Sequence, residues 1–160
     1  MATAKKPRSV LQSILGILAA VFVGAAAGAF VFTVGYSELP SYLGTDPQTC
    51  ANCHVMQDYY DAWSKGPHKN VATCDDCHLP SNNVVAKYAV QLDDGWRHSY
   101  AFATKTYPDN IVIRQSSLDV VNRQCLSCHD VMTSQIRTVM GATDDTLTCT
   151  HCHSNTGHHQ

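Results

Sequence analysis

Between Ser9 and Ser37 the sequence has no charged side chain at all. A solvated segment of that length does not go without charge, so this one is excluded from water. Alternation of apolar and polar residues is missing as well, which excludes a sheet protein and leaves helices and irregular connections. Net charge is nearly absent, at −2 for 160 residues, so nothing marks nucleic acid as a partner. Large aliphatic residues are scarce outside the uncharged run. The remaining chain therefore has too little apolar surface for an ordinary core. Finally, no cysteine is left over. All eight fall in four Cys-x-x-Cys-His segments.

Those segments are Cys50-Ala51-Asn52-Cys53-His54, Cys74-Asp75-Asp76-Cys77-His78, Cys125-Leu126-Ser127-Cys128-His129 and Cys149-Thr150-His151-Cys152-His153. In this motif two thiols form thioethers to the vinyl groups of a haem, and the histidine reaches the iron. Four matches that use every cysteine point to four covalently bound haem c groups. Two alternatives remain to be weighed. Twenty residues separate Cys53 from Cys74 and Cys128 from Cys149, a spacing compatible with paired zinc ligands, as in a membrane-tethered zinc-binding interaction protein. A zinc site does not need a histidine after every pair. Disulfides are the other alternative, but a two-residue gap strains a structural bridge.

The fold class expected is mainly α with much irregular structure. One N-terminal transmembrane helix precedes a compact multihaem domain whose core is the haems, at roughly 30 residues per haem. Residues 1–8 form a cytoplasmic tail, 9–37 a transmembrane anchor and 38–160 a periplasmic domain. The uncharged run exceeds the ~20 helical residues that cross a bilayer. Lys5, Lys6 and Arg8 ahead of it and Glu38 behind it set the orientation in the cytoplasmic membrane. A cleavable signal peptide ending at Ala27-Gly28-Ala29 would need a shorter apolar core. Ala20, Gly24 and Gly28 share one helix face and would let two such helices approach, a route to self-association. Tyr36 and Tyr42 suit the outer interface.

Beyond the anchor, a turn-rich connector brings the first motif within a few residues of the membrane surface. The pattern predicts a helix over 55–65, ended by Gly66-Pro67, and the longest helix over 82–106. Ser116-Ser117 is the expected N-cap of a helix running to Cys125, with a further helix over 130–140.

Four irons have eight axial positions. His54, His78, His129 and His153 are the proximal candidates, leaving His68, His98, His151, His158 and His159. His151 is fixed inside a motif, and His158 and His159 are adjacent. About three distal histidines thus serve four haems, and Met56 could supply one further ligand. Met132 and Met140 are better read as packing residues. A haem left short would be open or take a ligand from another molecule.

On the 82–106 helix, Lys87, Gln91, Asp94 and His98 fall within about 60° of one another. An amine, an amide, a carboxylate and an imidazole on one face suit quinol oxidation, in which hydroxyls need partners and two protons leave. The same pattern also describes a solvated helix face, and His98 is a rival haem ligand.

The chain resembles the NapC/NirT family of membrane-anchored multihaem quinol dehydrogenases. Its Cys50-Ala51-Asn52-Cys53-His54-Val55-Met56 is similar to the first-haem motif of the small subunits of cytochrome c nitrite reductases. Ala72-Thr73-Cys74-Asp75-Asp76-Cys77-His78-Leu79-Pro80 and Thr148 through His158 are also similar to family patterns. The resemblance implies menaquinol as donor and a periplasmic multihaem nitrite reductase catalytic subunit as acceptor. A nitrate or N-oxide reductase is the alternative acceptor. It implies Met56 rather than His54 on the first iron, with His78, His129 and His153 proximal on the others. His68 and His158 match distal ligands, and Lys87 and Asp94 match positions facing the quinol. Since the catalytic haem of the large subunit uses Cys-x-x-Cys-Lys, which is absent here, nitrite reduction itself is expected elsewhere.

Overall fold

The computed structural model of the chain describes residues 9–143 and 146–158. Lys5, Lys6 and Arg8, with the expected cytoplasmic tail, and His159 lie outside them. The described residues are helical, with irregular connections and no strand. The chain divides into two compact units, Met1–Gly44 and Thr45–Gln160.

In the first unit the uncharged run becomes helix α1, Val10–Tyr36. Its start is fixed by a reciprocal cap at the first apolar residue. The Gln12 N–H donates to the Ser9 hydroxyl (3.3 Å), and the Ser9 N–H donates to the Gln12 side chain (3.1 Å). At 1.5 Å per residue, its 27 residues exceed the ~30 Å hydrocarbon layer. Every side chain along it is accessible or nearly so, and its central window has a mean hydropathy of 2.5. Water would not tolerate such a helix; lipid would. Glu38 adopts left-handed φ (51°), and a short 3₁₀ turn covers Leu39–Leu43.

The second unit is built from short helices that carry the motifs. Helix α2, Pro47–Cys50, starts where the Asp46 carboxylate accepts the Gln48 N–H at 2.9 Å. A 3₁₀ turn over His54–Met56 leads into α3, Gln57–Lys65, which stops at Gly66-Pro67 as the sequence implies. Helix α4, Cys74–His78, is opened by Thr73, whose N–H and hydroxyl donate to Asp76 at 2.7 and 2.8 Å. Helix α5, Val84–Thr104, is capped by Asn83 and passes through Gly95 without a break.

Helix α6, Gln115–Met140, corrects the sequence reading. The two helices expected before and after the third motif are one, and its N-cap is Arg114 rather than Ser116 or Ser117. No proline or glycine interrupts residues 115–140, and a Cys-x-x-Cys-His segment is itself compatible with helix. Helix α7, Cys149–Cys152, carries the last motif.

Among the described residues only two apolar side chains are buried, Leu79 and Leu126. Each contributes about 1.5–3 kcal/mol, whereas ordering costs ~1–2 kcal/mol for every residue fixed. Polypeptide packing alone does not hold this unit together.

Candidate functional site

The four motifs adjoin one another in chain order. Helix α2 packs on α4, α4 on α6, and α6 on α7. At the level of thiols, Cys50 hydrogen-bonds with Cys74, which holds Cys50 below and Cys74 above the ordinary thiol range. Cys77 feels the field of Cys128. Burial, then Cys149 and Cys77, push Cys125 up to about 11. Reactive sulfurs of successive motifs thus stand side by side.

Two buried amides fix these junctions. The Asn122 carbonyl oxygen accepts from both the N–H (3.1 Å) and the hydroxyl (3.2 Å) of Thr150, inside the fourth motif. Its NH₂ donates to the Leu118 carbonyl at 3.0 Å. One residue short of the third motif, Gln124 accepts from the Ser81 hydroxyl at 2.8 Å, tying down the loop after the second. Sequence reasoning missed both. Their only signal is two uncharged amides within a turn of Cys125.

The histidines separate into facing pairs. His78 and His158 have ring centroids 6.1 Å apart and planes 6° from parallel. His68 and His129 lie 6.2 Å apart with planes at 82°. A metal between two imidazole nitrogens at about 2.0 Å each, with about 1.1 Å from nitrogen to ring centre, gives roughly 6.2 Å. Both pairs therefore have the spacing of two axial ligands on one iron. His68 Nδ1 is also buried without a hydrogen-bond partner. Burial, then the neighbouring His158, hold His78 below its ordinary pKa, against the pull of Asp94.

Aromatic side chains help position His68 and His158. The Trp63 indole N–H donates to the Ala72 carbonyl at 3.1 Å, closing the segment that carries His68. The Tyr59 ring meets His158 edge-on at 5.0 Å.

The other candidates are placed differently. Among the described residues no imidazole faces His153 or His54 at such a spacing. The His54 ring instead meets Phe102 at 6.3 Å. Met56 is half-buried at the end of its 3₁₀ turn. Met132 and Met140 are exposed rather than packed, contrary to the packing expected of them. Among the described residues no cluster of three or more His, Cys, Asp or Glu side chains is arranged to hold a bare metal ion. The pairs fit a porphyrin iron better than zinc.

On α5, Lys87, Gln91 and Asp94 are half-buried and His98 is exposed. Two of their charged neighbours, Asp75 and His78, belong to the second motif. Burial raises the Asp75 carboxyl above its ordinary value, with Lys87 opposing and Asp76 adding. Asp94 and His98 act on His78. Phe102, one turn further along that face, reaches the first motif through His54. No sequence pattern points to Arg114, whose guanidinium bridges Asp94 (2.5 Å) and Asp93 (3.0 Å), while Arg97 pairs with Asp93 at 3.0 Å. Arg114 lies twenty positions beyond Asp94 in the chain, past the reach of any helical periodicity.

Comparison with known proteins bears on this arrangement. The family model described as the NapC/NirT cytochrome c family, N-terminal region, matches residues 10–160. The cytochrome c-type protein NrfH of Wolinella succinogenes is 41% identical over 111 residues, 69% of this chain and 63% of that protein. The cytochrome c nitrite reductase subunit NrfH of Nitratidesulfovibrio vulgaris is 28% identical over 109 residues, 68% of this chain and 65% of that protein. The matched part thus spans slightly less than two-thirds of either relative. Among solved structures, a chain of the cytochrome c nitrite reductase NrfHA complex bound to the HQNO inhibitor superposes with a TM-score of 0.62 at 28% identity. That match covers 89% of this chain and 90% of the other.

Proposed function

The chain belongs to the NapC/NirT cytochrome c family, and on that basis we propose that it is a membrane-bound tetrahaem cytochrome c that oxidises menaquinol for a periplasmic reductase. The eight cysteines would each hold a haem vinyl group. His78 with His158 and His129 with His68 would ligate two irons. His153 would serve a third from one side, and Met56 rather than His54 the first. Bound there, haem accepts electrons singly and passes them on, with potentials set by axial ligands and burial.

The chain's own residues do the rest. Lys87, Gln91 and Asp94 present donors and acceptors that fix the quinol hydroxyls, with His98 at the open end of the same face. Asp94, held by Arg114, is the group to take a proton as electrons leave, and the proton then passes to the periplasmic side. In this reading residues 1–8 are cytoplasmic, 9–37 cross the inner membrane, and 38–160 lie in the periplasm. Likeness to two NrfH proteins and to an NrfHA complex supports the catalytic subunit of cytochrome c nitrite reductase as acceptor. The chain is then a quinol-oxidising electron-transfer subunit, not the site of nitrite reduction.

The observation that carries the quinol site is the half-buried lysine–amide–carboxylate face of α5, whose Lys87 and Asp94 exert their charge on Asp75 and His78. Lys87→Ala and Asp94→Asn should each slow reduction by a menaquinol analogue about a hundredfold. Haem stain and dithionite reduction should stay unchanged. Unaltered quinol kinetics in both variants would remove the site; an unstained band would remove the cytochrome reading.

A further inference from the structure

The second motif carries two neighbouring acids with opposite surroundings. Asp76 is exposed, and its carboxylate opens α4 by accepting the Thr73 N–H and hydroxyl at 2.7 and 2.8 Å. Asp75 turns inward. Its Oδ2 is buried and accepts no hydrogen bond among the described residues. An ionised carboxylate shut away without a donor is costly, whereas a protonated one is tolerated. The polypeptide itself seals this oxygen. An atom closed to water by protein is closed to a porphyrin as well, so a haem on Cys74 and Cys77 does not supply the missing donor. Asp75 as a whole is only half-buried, which leaves its carboxyl a way to exchange a proton.

The groups around this carboxyl link α5 to the first two motifs. Burial favours its protonated form, Lys87 on α5 opposes, and Asp76 on α4 adds to the burial. Its own charge acts on the sulfurs of Cys50 on α2 and Cys74 on α4, the hydrogen-bonded pair where the first two motifs meet. Helix α6 also packs on α4, and its Cys128 acts there on Cys77. Negative charge arriving beside an acid raises its affinity for a proton. Electron and proton are therefore taken up together at this junction.

We propose that Asp75 is a redox-linked proton acceptor, the second base of quinol oxidation, binding a proton as the haems of the first two motifs gain electrons and releasing it as they lose them. The inference rests on the reading of the motifs as haem sites and of α5 as the quinol face. Quinol oxidation breaks two O–H bonds and sends away two electrons and two protons. Asp94 is read as the acceptor of one proton, and one of its oxygens is engaged by Arg114. The other proton needs its own base. As the second quinol O–H breaks, its electron leaves for the haems and its proton ends in a new O–H bond on Asp75. Onward passage of the electron returns the carboxyl to its ionised form and frees the proton.

The test is reduced-minus-oxidised infrared difference spectroscopy of the full-length holoprotein, with electrons supplied by an electrode and not by quinol. On reduction the parent should gain the C=O stretch of a protonated carboxyl. Asp75→Asn should lose that band, and Asp75→Glu should keep it at a shifted frequency, which a merely structural residue would not do. The haem potentials of the parent should fall as pH rises, and those of Asp75→Asn should fall less. With a menaquinol analogue as donor, Asp75→Asn should be reduced about tenfold more slowly at unchanged haem stain. A parent without the band, or a band that survives in Asp75→Asn, overturns the proposal even where Lys87 and Asp94 form the quinol site. If Asp75→Asn fails to mature, Asp75→Glu decides, and an unmoved band overturns it. Unaltered quinol kinetics in Asp75→Asn overturns its place in the reaction. A parent that takes no haem stain overturns the cytochrome reading and this proposal together.

Discussion

Replacing His68 with alanine should convert one haem in four from low spin to high spin. The prediction follows from the spacing of His68 and His129, whose ring centroids lie 6.2 Å apart. Two nitrogen–iron bonds of about 2.0 Å and two nitrogen-to-centroid distances of about 1.1 Å account for roughly that separation. With one ring removed, a haem iron held by this pair would lose one of its two imidazole donors, and its ligand field would weaken. The signal that disappears can also be foretold. His68 and His129 stand at 82°, whereas His78 and His158 stand at 6°. Nearly perpendicular imidazole planes leave the two d-orbitals of the hole nearly degenerate, which gives a low-spin signal with an unusually large highest g value. Parallel planes split those orbitals and give an ordinary rhombic one. Low-temperature electron paramagnetic resonance of the oxidised protein, with spin quantitation, makes the measurement. In the His68→Ala variant the large-g signal should vanish, the high-spin signal should grow by an equal integrated intensity over the parent, and the rhombic signal should persist. An unchanged low-spin content, or loss of the rhombic signal instead, would refute the pairing.

Arg114→Ala should lower menaquinol turnover tenfold to a hundredfold at unchanged haem content, because the carboxylate of Asp94 loses the partner that fixes it. Arg114→Lys should restore part of the rate, a readout that general unfolding would not give. Asn122→Ala strands the Thr150 N–H and hydroxyl and should cost about 1–3 kcal/mol, read as a lower denaturant midpoint. Asp75→Asn works in the opposite direction. Burial holds the folded-state carboxyl above its ordinary value of 3.8, so above that pH the ionised carboxylate destabilises the fold. The variant should therefore be more stable than the parent at neutral pH. The gain should shrink as pH falls through the carboxylate range and be gone below 3.8, where both states are protonated. Denaturation followed by circular dichroism at several pH values checks the sign.

What the sequence makes legible is what depends on local pattern. The uncharged run gives α1, Val10–Tyr36, and Gly66-Pro67 stops α3 at Lys65. The expected 82–106 helix appears as Val84–Thr104, shortened because Asn83 caps it with its own side chain. Counting ligands leaves His68, His98 and one of His158 and His159 for the distal positions; the family resemblance selects His68 and His158, and both of these face a motif histidine. Which faces which is a tertiary matter. His158 faces His78 of the second motif and not His153 of the fourth, five residues before it. Arg114, Asn122 and Gln124 stayed hidden for a similar reason: each acts on a segment far away in sequence. The division of α6 into two helices was a local misreading, in which a serine pair passed for a cap inside an uninterrupted helix.

The central claim is that quinol in the membrane gives its electrons to haems carried by four motifs. It is tested most directly by titrating the purified protein in liposomes with menaquinol while following the haem α-band. The account predicts complete reduction at two menaquinols per chain, with protons released on the haem side. Haems that dithionite reduces fully but menaquinol leaves oxidised would contradict it.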